Sequence, residues 1–309
     1  MEFGVAVELH LCCENAEEQM RSLRDALQQA QNDRVALGHF NVADLVLLQA
    51  VFQAARGLNT PVLVGASEGE REFAGTQQLA ALVRSLREEF DFPIFLNADH
   101  THSMAKAMDA VKAGFDAVVF DLSSLPLEQN ARQTRAAVEA LKSANPAVLV
   151  EGEIGNIGTG SEIHEDAPSP PQPLTTASEA REFAAETRVD ILAPAVGNSH
   201  GMRRNMVTGG EKKHLDIERI REIKAATGLP LTLHGGSATS DEDFRKAIGA
   251  GINIVHINTE LRLAWRRGLE AGLAARADEV VPYKILPFAV QAVQQAASSR
   301  LQLFTSPAS

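Results

Sequence analysis

Along the chain, short apolar runs alternate with longer stretches whose apolar residues recur at helical spacing, with little interruption from Val35 almost to the end. The short runs predict strands at 35–40, 61–66, 93–98, 117–121, 147–153, 191–196, 230–234 and 252–257. The amphipathic stretches predict helices at 44–56, 76–89, 103–113, 128–143, 177–186, 216–227, 241–250 and 261–277. Strand and helix alternate throughout, which requires parallel strands joined by crossover helices. Runs such as Ala117-Val118-Val119-Phe120 are apolar without a break, as expected of strands covered on both faces. Eight such units in about 250 residues fit an α/β (β/α)8 TIM barrel better than an open doubly wound sheet, although periodicity alone leaves closure open. A further helix is expected at 17–32, across the bottom of the barrel, and another at 288–299. The expected organisation is one domain over 1–309, with an N-terminal helical segment to 34, the barrel over 35–277 and a C-terminal extension from 278.

Two connections exceed the usual 2–6 residues of a βα link. The first, 155–176, carries Gly158-Thr159-Gly160 and then Pro168, Pro170, Pro171 and Pro173. The second, 201–215, carries Arg203, Arg204, Gly209, Gly210, Lys212 and Lys213. Both follow strands, so in a barrel both lie on the catalytic face, where long loops serve as lids.

Composition narrows the function without naming it. The 309 residues are 45% hydrophobic and 22% charged, with 29 Lys+Arg against 40 Asp+Glu for a formal net charge of -11. That balance argues against a nucleic-acid partner, which a basic stripe would signal. The two cysteines, Cys12 and Cys13, are adjacent and form neither a disulfide framework nor a zinc knuckle, so a cytoplasmic location is expected. No apolar stretch approaches the ~20 residues of a membrane span.

Polar residues collect at the C-terminal ends of the strands, where a barrel builds its site. Strand three runs into Asn97-Ala98-Asp99-His100, strand five into Glu151-Gly152-Glu153, the sixth into Gly197-Asn198-Ser199-His200-Gly201 and the seventh into His234-Gly235-Gly236-Ser237. His100, His200 and His234 are separated by 100 and 34 residues, yet closure would aim all three at one opening. Three imidazoles with an open position are the ligand set of catalytic zinc. A lone strand-end histidine is more often structural; the convergence of three is what favours a metal. Asp99, next to His100, suits proton transfer, against the alternative of capping the helix that starts near Ser103. Asp121 and Glu153 can orient ligand histidines, hold a second metal or pair with loop cations. Gly235-Gly236-Ser237 and Ile257-Asn258-Thr259 close strands seven and eight, where barrels hold phosphate through backbone N–H groups and helix N-termini. No predicted strand contains a lysine, which disfavours Schiff-base chemistry and leaves a metal to activate a carbonyl.

In this order, Asp99-His100, Glu151-Gly152-Glu153-Ile154-Gly155, Gly197-Asn198-Ser199-His200-Gly201, Leu233-His234-Gly235-Gly236-Ser237 and Ile257-Asn258-Thr259-Glu260-Leu261 resemble the class II, zinc-dependent ketose-bisphosphate aldolases, a family that includes fructose- and tagatose-bisphosphate aldolases. The resemblance begins near Gly38-His39-Phe40-Asn41 and covers most of the chain. It implies that His100, His200 and His234 ligate Zn2+, that Asp121 and Glu153 hold a second or displaced metal, and that a second divalent or a monovalent cation accompanies the zinc. It further implies Asp99 as proton donor, and Gly201, Gly235, Gly236 and Ser237 with His256, Ile257, Asn258 and Thr259 around dihydroxyacetone phosphate. Ser67 matches a position that contacts the aldehyde, and Glu162 is the loop candidate for a second acid/base. The implied partner is a small sugar bisphosphate, the implied assembly a homodimer or homotetramer with 301–309 at an interface, and neither nucleic acid nor membrane is expected. A non-catalytic barrel subunit is the competing class, disfavoured by a proton donor kept beside a histidine triad. The sequence departs from the family pattern at His256, which stands where Asn is common, at Ile254 in place of Lys, at Met202-Arg203-Arg204 in place of a lysine-bearing loop, at Ala238, and at 158–162.

Overall fold

The computed structural model describes residues 22–158, 160–165 and 173–306, and within them every expected strand and helix of the barrel is present. Helix α1 (Leu23–Asp33) precedes β1 (Leu37–Asn41), α2 (Leu45–Gly57), β2 (Val62–Ala66), α3 (Glu68–Ala74), α4 (Thr76–Phe90), β3 (Ile94–Thr101), α5 (Met104–Ala113), β4 (Ala117–Phe120), α6 (Leu127–Ala144) and β5 (Leu149–Ile154). The chain continues through β6 (Ile163–His164), α7 (Ala177–Thr187), β7 (Ile191–Pro194), β8 (Met202–Arg203), α8 (Arg204–Val207), α9 (Ile217–Thr227) and β9 (Leu231–Leu233). It ends with α10 (Asp241–Ala250), β10 (Ile252–Ile257), α11 (Thr259–Ala275), α12 (Pro282–Ile285) and α13 (Pro287–Thr305). Strands β1, β2, β3, β4, β5, β7, β9 and β10 close in that order into a parallel barrel, β10 pairing with β1. This is the TIM barrel, and closure removes the open-sheet alternative.

The helices start where short polar side chains can accept orphan N–H groups. Asp44 caps α2, Ser103 caps α5, Asp216 caps α9 and Ser240 caps α10. Because Ser103 fills that role for α5, Asp99 is free of it.

Alternation along the strands stacks the lumen in layers. Leu37, Leu63, Phe95, Ala117, Leu149, Ile191 and Ile254 form an apolar floor against Leu23, Ala26, Leu27 and Ala30 of α1. Two residues further along the strands, His39, Asn97 and Glu151 replace the apolar side chains and are buried. Two further still stand Asn41, Asp99 and Glu153, at the end of the barrel that receives the long loops. The lumen thus passes from an oily plug to a dry polar chamber. Gly65 makes room for it: a Cβ there would lie 2.0 Å from Cε1 of His39.

Departures from the sequence expectation cluster on the catalytic face. Strand β3 runs past the expected end to Thr101, and its pairing to β4 slips between Ala98 and Thr101, with His100 at φ +37. That slip is a bulge, which re-aims the side chains it contains. The α3 segment Glu-Gly-Glu-Arg-Glu-Phe-Ala has no apolar periodicity and forms through a capping box between Ser67 and Glu70. The two long connections meet each other in a short parallel pair, Ile163 with Met202 and His164 with Arg203. Of the expected helix at 17–32, residues 17–21 lie outside the described residues, as do Cys12 and Cys13; the described part is α1. At the other end, Leu301 and Phe304 are fully buried within this chain, so they are not apolar surface for an interface, and 307–309 lie outside the described residues.

Candidate metal centre and active site

The three strand-end histidines meet. The ring centroids of His100 and His200 are 4.7 Å apart, those of His100 and His234 4.7 Å, and those of His200 and His234 6.0 Å. His100 Nε2 and His234 Nδ1 face each other at 3.1 Å. The opposite nitrogen of each ring is committed to a carboxylate: His100 Nδ1 to Asp121 Oδ2 at 2.8 Å and His234 Nε2 to Glu151 Oε1 at 2.6 Å. A carboxylate only accepts, so Nδ1–H of His100 and Nε2–H of His234 donate, and in the neutral rings two lone pairs are left pointing at one another. His200 Nε2 and Glu153 Oε2 complete the group; both are buried and have no hydrogen-bond partner among the described residues. His100, Glu153, His200 and His234 each offer a ligand atom within 4.8 Å of the others. Converging lone pairs, two of them on buried atoms with no hydrogen-bond partner among the described residues, are what a divalent cation would satisfy, and the N3O set suits zinc.

Electrostatics tells the same story. Burial would lower the His100 pKa, but Asp99, Asp121 and Glu153 push it up to about 10. Burial and the Asp121 charge push Glu153 up to about 7. His200 is forced well below its usual value by burial and by His100 and His234. Without a cation, protons must stand in for one.

Asp121 does not join the four. Its Oδ2 takes the His100 N–H and its Oδ1 accepts from Ser123 N and Ser123 Oγ at 3.0 and 2.7 Å, so it orients His100 from behind. Glu151 does the same for His234, and its other oxygen accepts from Thr232 Oγ1 at 2.6 Å. The sequence reading had Glu151 among the strand-end polar residues but gave it no role, although period two along β5 puts it on the same lumen side as Glu153.

Asp99 stands beside the histidines, its Oδ1 3.9 Å from His100 Nε2 and 3.3 Å from His256 Nδ1. Its Oδ2 accepts from Asn41 Nδ2 at 2.9 Å, and Asn41 also reaches Glu70 Oε2 at 2.8 Å. Burial would raise Asp99, yet the charge of His100 and the N–H of His256 outweigh it and hold the carboxyl well below its ordinary range. An ionised carboxylate in a dry pocket, with one oxygen anchored, is a competent proton acceptor. His256 stacks on His39 at 3.4 Å and 5°, and on His234 at 4.1 Å and 23°. Asn97 Nδ2 donates to His39 Nε2 at 3.0 Å and fixes the far end of the stack. Parallel rings cannot share an in-plane ion, so the neighbouring group of His39, Asp99 and His256 is a support for Asp99 rather than a second metal site.

The remaining expected residues separate by position. Gly201, Gly235, Ser237, His256, Asn258 and Thr259 line one cleft with Asn41, Asp99, His100, Ser161 and His200. Gly236 lies behind it, its N–H given to His256 O and a Cβ there 2.9 Å from that oxygen. The Ile257 side chain is buried in the layer between strands and helices, which leaves only its backbone for a ligand. Ser67 Oγ accepts from Glu70 N as the N-cap of α3, and Ser67 does not line the cleft. Glu162 is exposed and gives its carbonyl to Met202 N; its neighbour Ser161, not Glu162, borders the cleft, held there by Arg262 Nη1 on Ser161 O at 3.0 Å. Arg204 pairs with Glu165 at 2.8 Å. Lys213, which carried no role in the sequence reading, is 7% exposed and donates to three backbone carbonyls between the ligand loops. Burial draws its ammonium down to about 7, while three acceptors use three N–H groups that only the charged form has.

Comparison with known proteins converges on one family. The family model described as "Fructose-bisphosphate aldolase class-II" matches residues 21–308. The chain is 33% identical over 288 residues to a probable fructose-bisphosphate aldolase of Bacillus subtilis (strain 168), covering 92% of this chain and 97% of that one. It is 31% identical over 253 residues to a sulfofructosephosphate aldolase of Alkalicoccus urumqiensis, covering 82% and 85%. Among solved structures it is similar to the YdjI aldolase from Escherichia coli K12, with a TM-score of 0.78 and 26% identity over 93% of this chain and 97% of that one.

Proposed function

The chain belongs to the class II fructose-bisphosphate aldolase family, and from that premise we propose that it cleaves fructose 1,6-bisphosphate reversibly to dihydroxyacetone phosphate and glyceraldehyde 3-phosphate. The observation that carries this reading is the convergence of His100 Nε2, His234 Nδ1 and the orphaned His200 Nε2 and Glu153 Oε2 beside an ionised Asp99. Zinc held by His100, His200 and His234, with Glu153 as a further ligand, would supply Lewis-acid polarisation of the ketone oxygen.

The chain's own residues do the rest. In cleavage Asp99 accepts the C4 hydroxyl proton while the C3–C4 bond breaks, C4 becomes the aldehyde carbon, and the electron pair of that bond passes to the ketose half. In condensation Asp99 returns the proton to the new alkoxide. Asn41 holds one Asp99 oxygen and His256 faces the other, so the carboxylate meets the hydroxyl in a fixed orientation. Gly201, Gly235, Ser237, Asn258 and Thr259 offer backbone and side-chain donors to the phosphate of dihydroxyacetone phosphate, with the N-terminus of α11 behind Asn258. Ser67, expected at the aldehyde, and Glu162, expected at C3, stand outside this cleft, so the carbanion at C3 takes its proton from solvent. A carboxylate-lined lumen and an acidic chain are compatible with a bisphosphate because its charge is met locally.

The similarity to a sulfofructosephosphate aldolase supports one competing substrate, a sulfofructose phosphate. Measuring kcat/KM side by side for fructose 1,6-bisphosphate, tagatose 1,6-bisphosphate and sulfofructose phosphate decides the matter. The highest value is expected for fructose 1,6-bisphosphate; a higher one for either rival overturns the substrate and leaves the aldolase family standing.

A further inference from the structure

The loop after β7 carries His200, with Ser199 before it and Gly201 after it; the loop after β9 carries Gly235 immediately after His234. These loops touch closely enough that a Cβ on Gly235 would lie 2.3 Å from Ser199 O, and both Gly201 and Gly235 have positive φ, +71 and +60. Three carbonyls from the two loops point at one spot. The Nζ of Lys213 occupies it, 2.6 Å from Ser199 O, 2.6 Å from Gly201 O and 3.0 Å from Gly235 O. The backbone of Lys213 is fixed as well, donating to Ala238 O at 3.1 Å and bridging to Thr239. A fully engaged ammonium has no lone pair for a Schiff base and no N–H left for substrate. Its chemistry here is that of a small monovalent cation: it neutralises the negative ends of three converging peptide dipoles that would otherwise repel each other in a buried place.

We propose that Lys213 is a tethered monovalent cation, a positioning residue that locks the His200 and His234 loops together and makes the enzyme independent of free alkali cations. The inference rests on the reading of His200 and His234 as metal ligands, and not on the identity of the sugar.

The test uses the purified full chain, wild type and Lys213→Ala, in ammonium, potassium or sodium chloride, with choline chloride at equal ionic strength as control. Two quantities are read: zinc affinity by competition with a chelator, and the melting temperature of the zinc-free protein. For wild type, both should be the same in all four salts. For Lys213→Ala in choline, zinc affinity should fall about 10-fold or more, the scale of losing a partner that orients ligands. Ammonium or potassium should then recover both quantities, by refilling the carbonyl cage. Lys213→Met keeps the stem without the charge and blocks the cage, so it should show the loss without the recovery. The proposal is overturned if wild type itself needs an alkali cation, if Lys213→Met matches wild type, or if a folded Lys213→Ala is rescued by none of the three cations. The melting-temperature rescue needs no zinc, so a histidine cluster that binds no metal would be seen separately from a failure of the Lys213 cage.

Discussion

At the scale of single residues, the site is a set of divided labours. Asp99 holds a proton-accepting form because the charge of His100 and the N–H of His256 outweigh its burial, and Asn41 anchors its other oxygen, so Asp99→Asn should keep the fold and the bound zinc while losing about 10²–10⁴ in cleavage rate. A near-normal rate with zinc in place would refute its role. Glu151 acts through His234, whose Nε2–H it accepts at 2.6 Å, and so it should govern metal retention rather than proton transfer. Glu151→Gln is expected to weaken zinc binding about 10- to 100-fold in a chelator competition, with kcat at saturating zinc much less affected. An unchanged affinity would show that the bond only packs the lumen. The sequence made the first of these roles legible and not the second. Asp99 stood next to a strand-end histidine, whereas the task of Glu151 depends on which ring nitrogen of His234 faces it, a matter of rotamer and closure. Lys213 was less legible still, since its partners are peptide carbonyls and carry no side-chain signature.

At the scale of elements, the barrel is read from its period and its site from where the period breaks. The alternation Leu37, His39, Asn41 along β1 puts one apolar and two polar side chains on the same lumen side, and the neighbouring Gly65 leaves space for the His39 ring. Gly65→Ala should therefore displace His39 from its stack and cost about 1–3 kcal/mol of stability, measured as a shift in denaturant midpoint; a neutral substitution would mean the ring has somewhere else to go. Helix α1 closes the floor with Leu23 and Leu27 against Leu37, Leu63 and Phe95. Leu27→Ala should cost about 2–5 kcal/mol while kcat measured well below melting stays the same, because the cavity opens far from the cleft. A large loss of kcat in the folded variant would contradict that separation. Strong periodicity made the barrel strands and helices recognisable, with ends shifted by a few residues. What periodicity could not mark were α3, held by a capping box instead of an apolar stripe, the β3 bulge at His100, and the pairing of the two long loops, which is decided only when Ile163 meets Met202.

At the scale of the whole molecule, the net charge of -11 says little about the site, because the chemistry belongs to a buried cluster whose protonation a cation should replace. In the zinc-free protein His39, drawn down to about 4 mainly by burial, contributes stability above its unfolded value near 6.5 and loses it as pH falls toward 4. His100, held up to about 10 despite burial by Asp99 and its other carboxylate neighbours, contributes below 6.5 and loses that contribution as pH rises through 10. Glu153, raised to about 7 by burial, adds stability below about 4.5 that fades as pH rises through 7. The zinc-free melting temperature should thus decline on the alkaline side, and because zinc competes with protons for these ligands, the increment that zinc adds should grow from about pH 5.5 to about pH 8.5. An increment that is flat with pH would separate the histidine cluster from the metal. The most direct test of the central claim is cleavage of fructose 1,6-bisphosphate by the purified protein before and after chelation, with zinc added back and a parallel borohydride treatment in the presence of substrate. The account predicts release of both triose phosphates, loss of that activity on chelation, its return with zinc, and no inactivation by borohydride. Cleavage that survives chelation and is abolished by borohydride would contradict it.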